Sequence, residues 1–217
     1  MKYRHFFFDL DGTLLDTIVD IANAISDALA KRGFDRRYDR ESAKALIGNG
    51  SDALLHRALA GFSDDPAEFE ALKKEYMPLY KAYQGRDCYP FPYMEETLQK
   101  LVQLGADLVV VTNKPDHLSK IIISEKLPQI PFKFVLGQVE GNPVKPDPYL
   151  IDIILKETGW NREDCIFVGD SHVDLETGAN AKMKCALCTW GYDLHYDALL
   201  GVADHVLNDP RDLLDLI

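Results

Sequence analysis

Apolar residues in this chain cluster in short runs separated by longer amphipathic stretches. The runs fall at residues 5–10, 107–112, 134–136, 165–169, 185–189 and 205–207, and most are rich in Val, Ile, Phe or Leu. Few of them alternate apolar with polar, which is the pattern of strands covered on both faces. Between them, residues 94–104, 116–124, 148–158 and 175–181 read as helices. Strands that alternate with helices predict an α/β fold: a Rossmann-like, doubly wound parallel sheet.

One stretch breaks this alternation. No strand pattern occurs across residues 17–84, and helices are predicted at 17–31, 39–46, 51–60 and 66–83. The expected organisation is therefore an α/β core domain of residues 1–16 and 85–217, with an α-helical domain of residues 17–84 inserted after the first strand. The way back into the core is the segment 85–92, rich in Pro, Gly and aromatic residues. A length of 217 residues suits one domain with an insertion.

Composition narrows the function classes. With 47% hydrophobic and 27% charged residues the chain is an ordinary globular protein, not a disordered one. A formal net charge of -11 argues against a nucleic-acid partner. An anionic substrate would have to be captured by local positive groups or a metal. No apolar run approaches the roughly 20 residues that span a bilayer, so no membrane partner is expected. The first residues lack the long apolar region of a signal peptide, and the expected location is cytoplasmic. Composition leaves monomer and homodimer open. Among the four cysteines, Cys185 and Cys188 form a C-x-x-C pair. No second ligand pair is spaced for zinc, so both are read as free thiols on a buried strand.

Candidate chemistry lies where the strands end, because open parallel sheets bind ligands beyond their carboxyl edges. The first strand runs into Asp9-Leu10-Asp11-Gly12-Thr13, the second into Thr112-Asn113, and the fourth into Gly169-Asp170-Ser171-His172-Val173-Asp174. Lys145 lies in the loop after the third. Clustered carboxylates without His or Cys suit a hard cation such as Mg²⁺. A lysine and a hydroxyl beside it suit phosphate oxygens. A carboxylate can act as a nucleophile and form an aspartyl-phosphate. A second one two residues on can protonate the leaving oxygen and later activate water. Gly12 allows a sharp turn between them.

Four segments together resemble the haloacid dehalogenase superfamily in its phosphatase form. They are Phe8-Asp9-Leu10-Asp11-Gly12-Thr13, Val111-Thr112-Asn113, Lys145-Pro146-Asp147-Pro148, and Gly169-Asp170-Ser171 with Asp174. The resemblance implies that the inserted helices form that superfamily's cap, which closes over the reaction and excludes water. It also implies roles. Asp9 would be the nucleophile and a metal ligand, and Asp11 the acid/base with its backbone carbonyl on the metal. Thr112 and the Asn113 backbone would hold phosphoryl oxygens, and Lys145 would neutralise charge on the nucleophile and phosphate. Asp170 would bind Mg²⁺, and Asp174 would bind it directly or through water. His172 is read as a loop residue, Asp16 as a structural hydrogen-bonding acid, and Tyr76, Tyr80 and Tyr83 as packing residues.

The type dehalogenases lack the second acid, so Asp11 favours phosphoryl chemistry. The superfamily's sugar-phosphate mutases usually carry a histidine early in the first cap helix, where this chain has Asp20 and Ile21. The segment from Ile47-Gly48-Asn49-Gly50-Ser51 to Leu59 resembles the cap of phosphoglycolate phosphatases. Its glycine-rich turn before a helix would offer backbone N–H groups from Gly48, Asn49 and Gly50 to a substrate carboxylate. The plainer reading is that Ser51 caps that helix. The expected function is thus Mg²⁺-dependent hydrolysis of a small phosphorylated metabolite, 2-phosphoglycolate first. A pyrophosphatase or nucleotidase of the same superfamily is the alternative, ahead of a mutase or an inactive binding protein.

Overall fold

The computed structural model describes residues 2–217, which divide into two compact units. One comprises the chain through Asp16 together with Pro90–Ile217, and the other is Thr17–Tyr89. In chain order the principal helices are α1 (Ile18–Lys31), α2 (Arg40–Lys44), α3 (Gly50–Leu59), α4 (Pro66–Tyr83), α5 (Met94–Gln103), α6 (Asp116–Lys126), α7 (Tyr149–Thr158) and α8 (His172–Asn180). Among the described residues, no helix is long and apolar enough to cross a membrane.

The first unit is built on a six-stranded sheet. Its strands are β1 (His5–Phe8), β2 (Asp107–Pro115), β3 (Phe134–Gln138), β4 (Cys165–Gly169), β5 (Lys184–Cys188) and β6 (His205–Leu207). They lie in the order β3-β2-β1-β4-β5-β6, and the pairings are parallel. Phe6, Phe7 and Phe8 are fully buried, as is the whole of β4. That double coverage is why these strands carry continuous apolar runs and no alternation. The strand order reverses between β1 and β4, which makes their carboxyl ends the topological switch point where a crevice opens. Phe8 is level with Val110 on one side and Val168 on the other. The residues just past each strand therefore leave the sheet at one edge.

Some boundaries differ from the sequence expectation. Strand β2 continues to Pro115, because its ladder with β3 shifts register after Val111 and re-forms between Pro115 and Gln138. Helix α8 starts at His172, so His172 is helical and does not belong to a loop. Its first turn is polar and is held by the Ser171 N–H and hydroxyl, which donate to Asp174 Oδ2 at 3.0 and 2.7 Å. Apolar periodicity cannot register such a turn. Helix α3 starts at Gly50 with Asn49 at its N-cap position in the left-handed region, φ 62°. Ser51 is thus inside the helix and does not cap it.

The second unit packs α1 to α4 around Ile21, Ile25, Leu29, Leu55, Leu72 and Tyr76, all buried. Tyr76 and Tyr80 stack with ring centroids 5.3 Å apart, in keeping with a packing role. The buried Asp20 carboxylate accepts the backbone N–H groups of Gly85 at 2.7 Å and Asp87 at 2.9 Å, tying the start of α1 to the exit segment. Arg57 Nη1 donates to the carbonyls of Leu46, Ile47 and Gly48 at 2.9, 3.1 and 2.8 Å, which fixes the turn before α3.

Candidate active site

Asp9 succeeds the last buried residue of β1, and its N–H donates to Val168 O at 2.9 Å. The chain then closes a tight loop, in which Leu10 O accepts the N–H groups of Leu14 and Leu15 at 3.0 Å each. Gly12 sits in this loop at φ 89°, and a Cβ there would lie 2.6 Å from Asp170 Oδ2. Both the backbone conformation and the close approach of Asp170 require glycine.

Asp170 comes directly after β4 and is buried. Thr13 Oγ1 donates to its Oδ1 at 3.0 Å, and the Tyr192 N–H donates to its Oδ2 at 2.7 Å. Asp174, one turn further on, is buried as well. Carboxylate oxygens of Asp9, Asp170 and Asp174 lie within 4.8 Å of one another. Burial pushes the Asp9 carboxyl up to about 6; Lys145 opposes the rise, and Asp174 and Asp11 add to it. Burial, then the charges of Asp174 and Asp9, raise Asp170 well above the usual carboxylate range.

Lys145 meets this negative charge. Its Nζ lies 2.8 Å from Asp9 Oδ1 and 2.8 Å from Asp174 Oδ1, with its side chain only 3% exposed. Burial alone would lower its pKa, but Asp174 and Asp9 outweigh burial and raise it. The lysine therefore stays charged. Its backbone is clamped by Asn113, whose Nδ2 donates to Lys145 O at 3.0 Å and whose Oδ1 accepts the Lys145 N–H at 2.8 Å. Thr112, beside it, is buried, and its Oγ1 accepts the Lys114 N–H at 3.2 Å.

The donor set fits a hard divalent cation. The half-buried Asp9 and the buried Asp170 and Asp174 offer oxygen ligands at one point, and a cation there would offset the burial and like charge that raise Asp9 and Asp170. The Asp11 carboxylate stands outside that cluster and pairs with Lys114, whose Nζ is 3.2 Å from Asp11 Oδ1. The β1–β4 edge thus brings together Asp9, Asp170, Asp174 and Lys145, with Asn113 bonded to Lys145. Gly48, Asn49 and Gly50 belong to the second unit. There they form a turn with three successive positive φ angles of 103°, 62° and 82°.

Several contributors carry no motif in the sequence. Lys114 is one. The Asn113 side chain, as the clamp on Lys145, is another. A third is the segment Trp190-Gly191-Tyr192, which lies just past β5 at the same edge. Trp190 Nε1 donates to Thr13 O at 3.1 Å, and Tyr192 OH donates to Asp16 Oδ1 at 2.9 Å. A Cβ on Gly191 would lie 2.1 Å from Asp170 Cβ, so that glycine lets the segment lean on the carboxylate. Trp190-Gly191-Tyr192 shares the position just beyond the carboxyl end of a strand, whereas Asn113 and Lys114 lie within the last residues of β2.

The model of the family described as haloacid dehalogenase-like hydrolase matches residues 6–188. A phosphoglycolate phosphatase of Aquifex aeolicus (strain VF5) is 33% identical over 218 residues, spanning 99% of this chain and 96% of the relative. One of Pseudomonas syringae pv. tomato (strain ATCC BAA-871 / DC3000) is 33% identical over 190 residues, spanning 86% of this chain and 69% of the relative. The solved structure of a predicted phosphoglycolate phosphatase from Haemophilus somnus 129pt superposes with a TM-score of 0.91 at 27% identity, covering 100% of this chain and 98% of that one.

Proposed function

The chain belongs to the haloacid dehalogenase-like hydrolase family, and we propose that it hydrolyses a small phosphate monoester through a phosphorylated Asp9. As a class of enzyme it is a phosphoric monoester hydrolase, similar to phosphoglycolate phosphatases. The observation that carries the finer reading is the set at the switch point: carboxylate oxygens of Asp9, Asp170 and Asp174 within 4.8 Å of one another, with Lys145 between Asp9 and Asp174.

In this reading Asp9 attacks phosphorus, and the bond from phosphorus to the leaving oxygen breaks. Asp11 gives that oxygen its proton. Asp11 then takes a proton from the water that attacks the phosphorus of the aspartyl-phosphate, which frees phosphate and restores Asp9. Thr112 and the Asn113 backbone hold phosphoryl oxygens, and Lys145 balances charge on Asp9 and the phosphoryl group. Asp9, Asp170 and Asp174 would hold Mg²⁺, with the Asp11 carbonyl also a ligand. When bound, the ion supplies positive charge for the carboxylates and the phosphoryl oxygens.

The substrate proposed is 2-phosphoglycolate, a small monoester with a second anionic group. Two things support it: the activity named for the relatives, and the turn Gly48-Asn49-Gly50, whose N–H groups suit a carboxylate. The test is kcat/KM for 2-phosphoglycolate against pyrophosphate, nucleoside monophosphates and simple sugar phosphates. 2-Phosphoglycolate is expected to lead. Ranking below several of the others by about tenfold, or about 1.4 kcal/mol of transition-state stabilisation, removes this substrate.

A further inference from the structure

Two buried lysines pair with three of the site's carboxylates. Lys145 serves Asp9 and Asp174. Lys114 reaches Asp11, Nζ to Oδ1 3.2 Å, with side-chain exposures of 1% for the lysine and 16% for the aspartate. Building on the acid/base role given to Asp11, we propose that Lys114 is a positioning residue for the proton transfer at the leaving group, acting through Asp11.

The backbone around Lys114 is fixed from two sides. Its N–H donates to Thr112 Oγ1 at 3.2 Å. Strand β3 packs directly on its carbonyl, since a Cβ on Gly137 would lie 2.5 Å from Lys114 O. The neighbouring Asp116 accepts the Gly137 N–H at 3.1 Å. An ammonium carried on so fixed a stem, out of water, restrains the carboxylate it touches far more than a surface lysine would. Proton transfer needs that restraint, because a misplacement of about 1 Å can cost about 100-fold in rate.

The proton count is simple. As Asp9 attacks phosphorus, the leaving oxygen takes the proton of the Asp11 carboxyl, and Asp11 becomes a carboxylate. Lys114 pairs with that carboxylate. Asp11 recovers a proton from the attacking water in the second half-reaction. Lys114 holds one oxygen of Asp11 while the other exchanges the proton.

This role predicts a dependence on the leaving group that packing alone would not produce. The holoenzyme is assayed with Mg²⁺ on 2-phosphoglycolate, ethyl phosphate and p-nitrophenyl phosphate. The two alkyl esters need a proton on the departing oxygen, and the aryl ester does not. For Lys114→Met, kcat/KM is expected to fall by about 10- to 100-fold on both alkyl esters, a part of the roughly 100- to 10,000-fold that a general acid contributes, and by less than about threefold on the aryl ester. Lys114→Arg should recover part of the loss. The double variant with Asp11→Asn should be no slower than Asp11→Asn alone, within about threefold, because the two act as a unit. If Lys114→Met does not fold, Lys114→Gln carries the same test. Equal losses on all three esters, loss confined to 2-phosphoglycolate, or additive losses in the double variant would overturn the proposal. If Asp11→Asn itself affects alkyl and aryl esters alike, the acid/base role of Asp11 falls, and the Lys114 role with it. The expected Asp11→Asn pattern beside an unaffected Lys114→Met overturns the Lys114 role alone.

Discussion

Asp9 is set apart from an ordinary turn aspartate by what surrounds it. Burial raises its carboxyl pKa to about 6, Lys145 pulls against the rise, and two further acids add to it. Asp9→Asn keeps the size and removes the nucleophile. It is expected to cut kcat by about 1,000-fold or more, the scale seen when a covalent route is lost, with an unchanged circular dichroism spectrum. Gly191→Ala acts one step further out. Its new methyl would collide with Asp170, so apparent Mg²⁺ affinity by calorimetry should drop by about 10- to 100-fold, the usual cost of disturbing a ligand's support. The motif residues Asp9, Asp11, Lys145, Asp170 and Asp174 were legible because each comes after a strand within a recognisable pattern. Lys114 and Tyr192 were not. Their partners Asp11 and Asp170 lie 103 and 22 positions away in sequence, and only the folded sheet brings them together.

At the level of elements, the strands were readable because burial on both faces leaves continuous apolar runs, as in β1 and β4. Polar turns were not. The first turn of α8 hides behind Ser171 and Asp174, and the end of β2 hides behind a register shift. Strand β5 explains the cysteine pair: Cys185 and Cys188 are buried free thiols. Burial, helped by nearby acids, pushes Cys185 up to about 12 and raises Cys188. Burial and Asp164 do the same for Cys165, to about 12. At pH 8 almost no thiolate is present on these three, so a thiol reagent should leave them unmodified in the native protein and label them in denaturant. Rapid labelling at Cys185 or Cys188 without denaturant would contradict the buried strand. In the helical unit, Asp20→Ala removes the acceptor of two backbone N–H groups. It should destabilise that unit by about 1–3 kcal/mol, read from urea denaturation.

The whole molecule carries a net charge of -11, so long-range attraction does not deliver a phosphate ester to it. Positive charge is instead local. It comes from Lys145 and Lys114 and, in the proposed reaction, from Mg²⁺ held by Asp9, Asp170 and Asp174. Chelation should therefore stop turnover and added Mg²⁺ restore it, while Ca²⁺, with its looser coordination, substitutes poorly. Full activity in excess chelator would remove the metal from the mechanism. The most direct single measurement is chemical trapping of the intermediate. Turnover of 2-phosphoglycolate is quenched with borohydride, which reduces an acyl phosphate to an alcohol, and the modified peptide is located by mass spectrometry. The expected result is reduction at Asp9 alone, dependent on both substrate and Mg²⁺. Reduction at another acid while Asp9 stays unmodified would contradict phosphoryl transfer to Asp9.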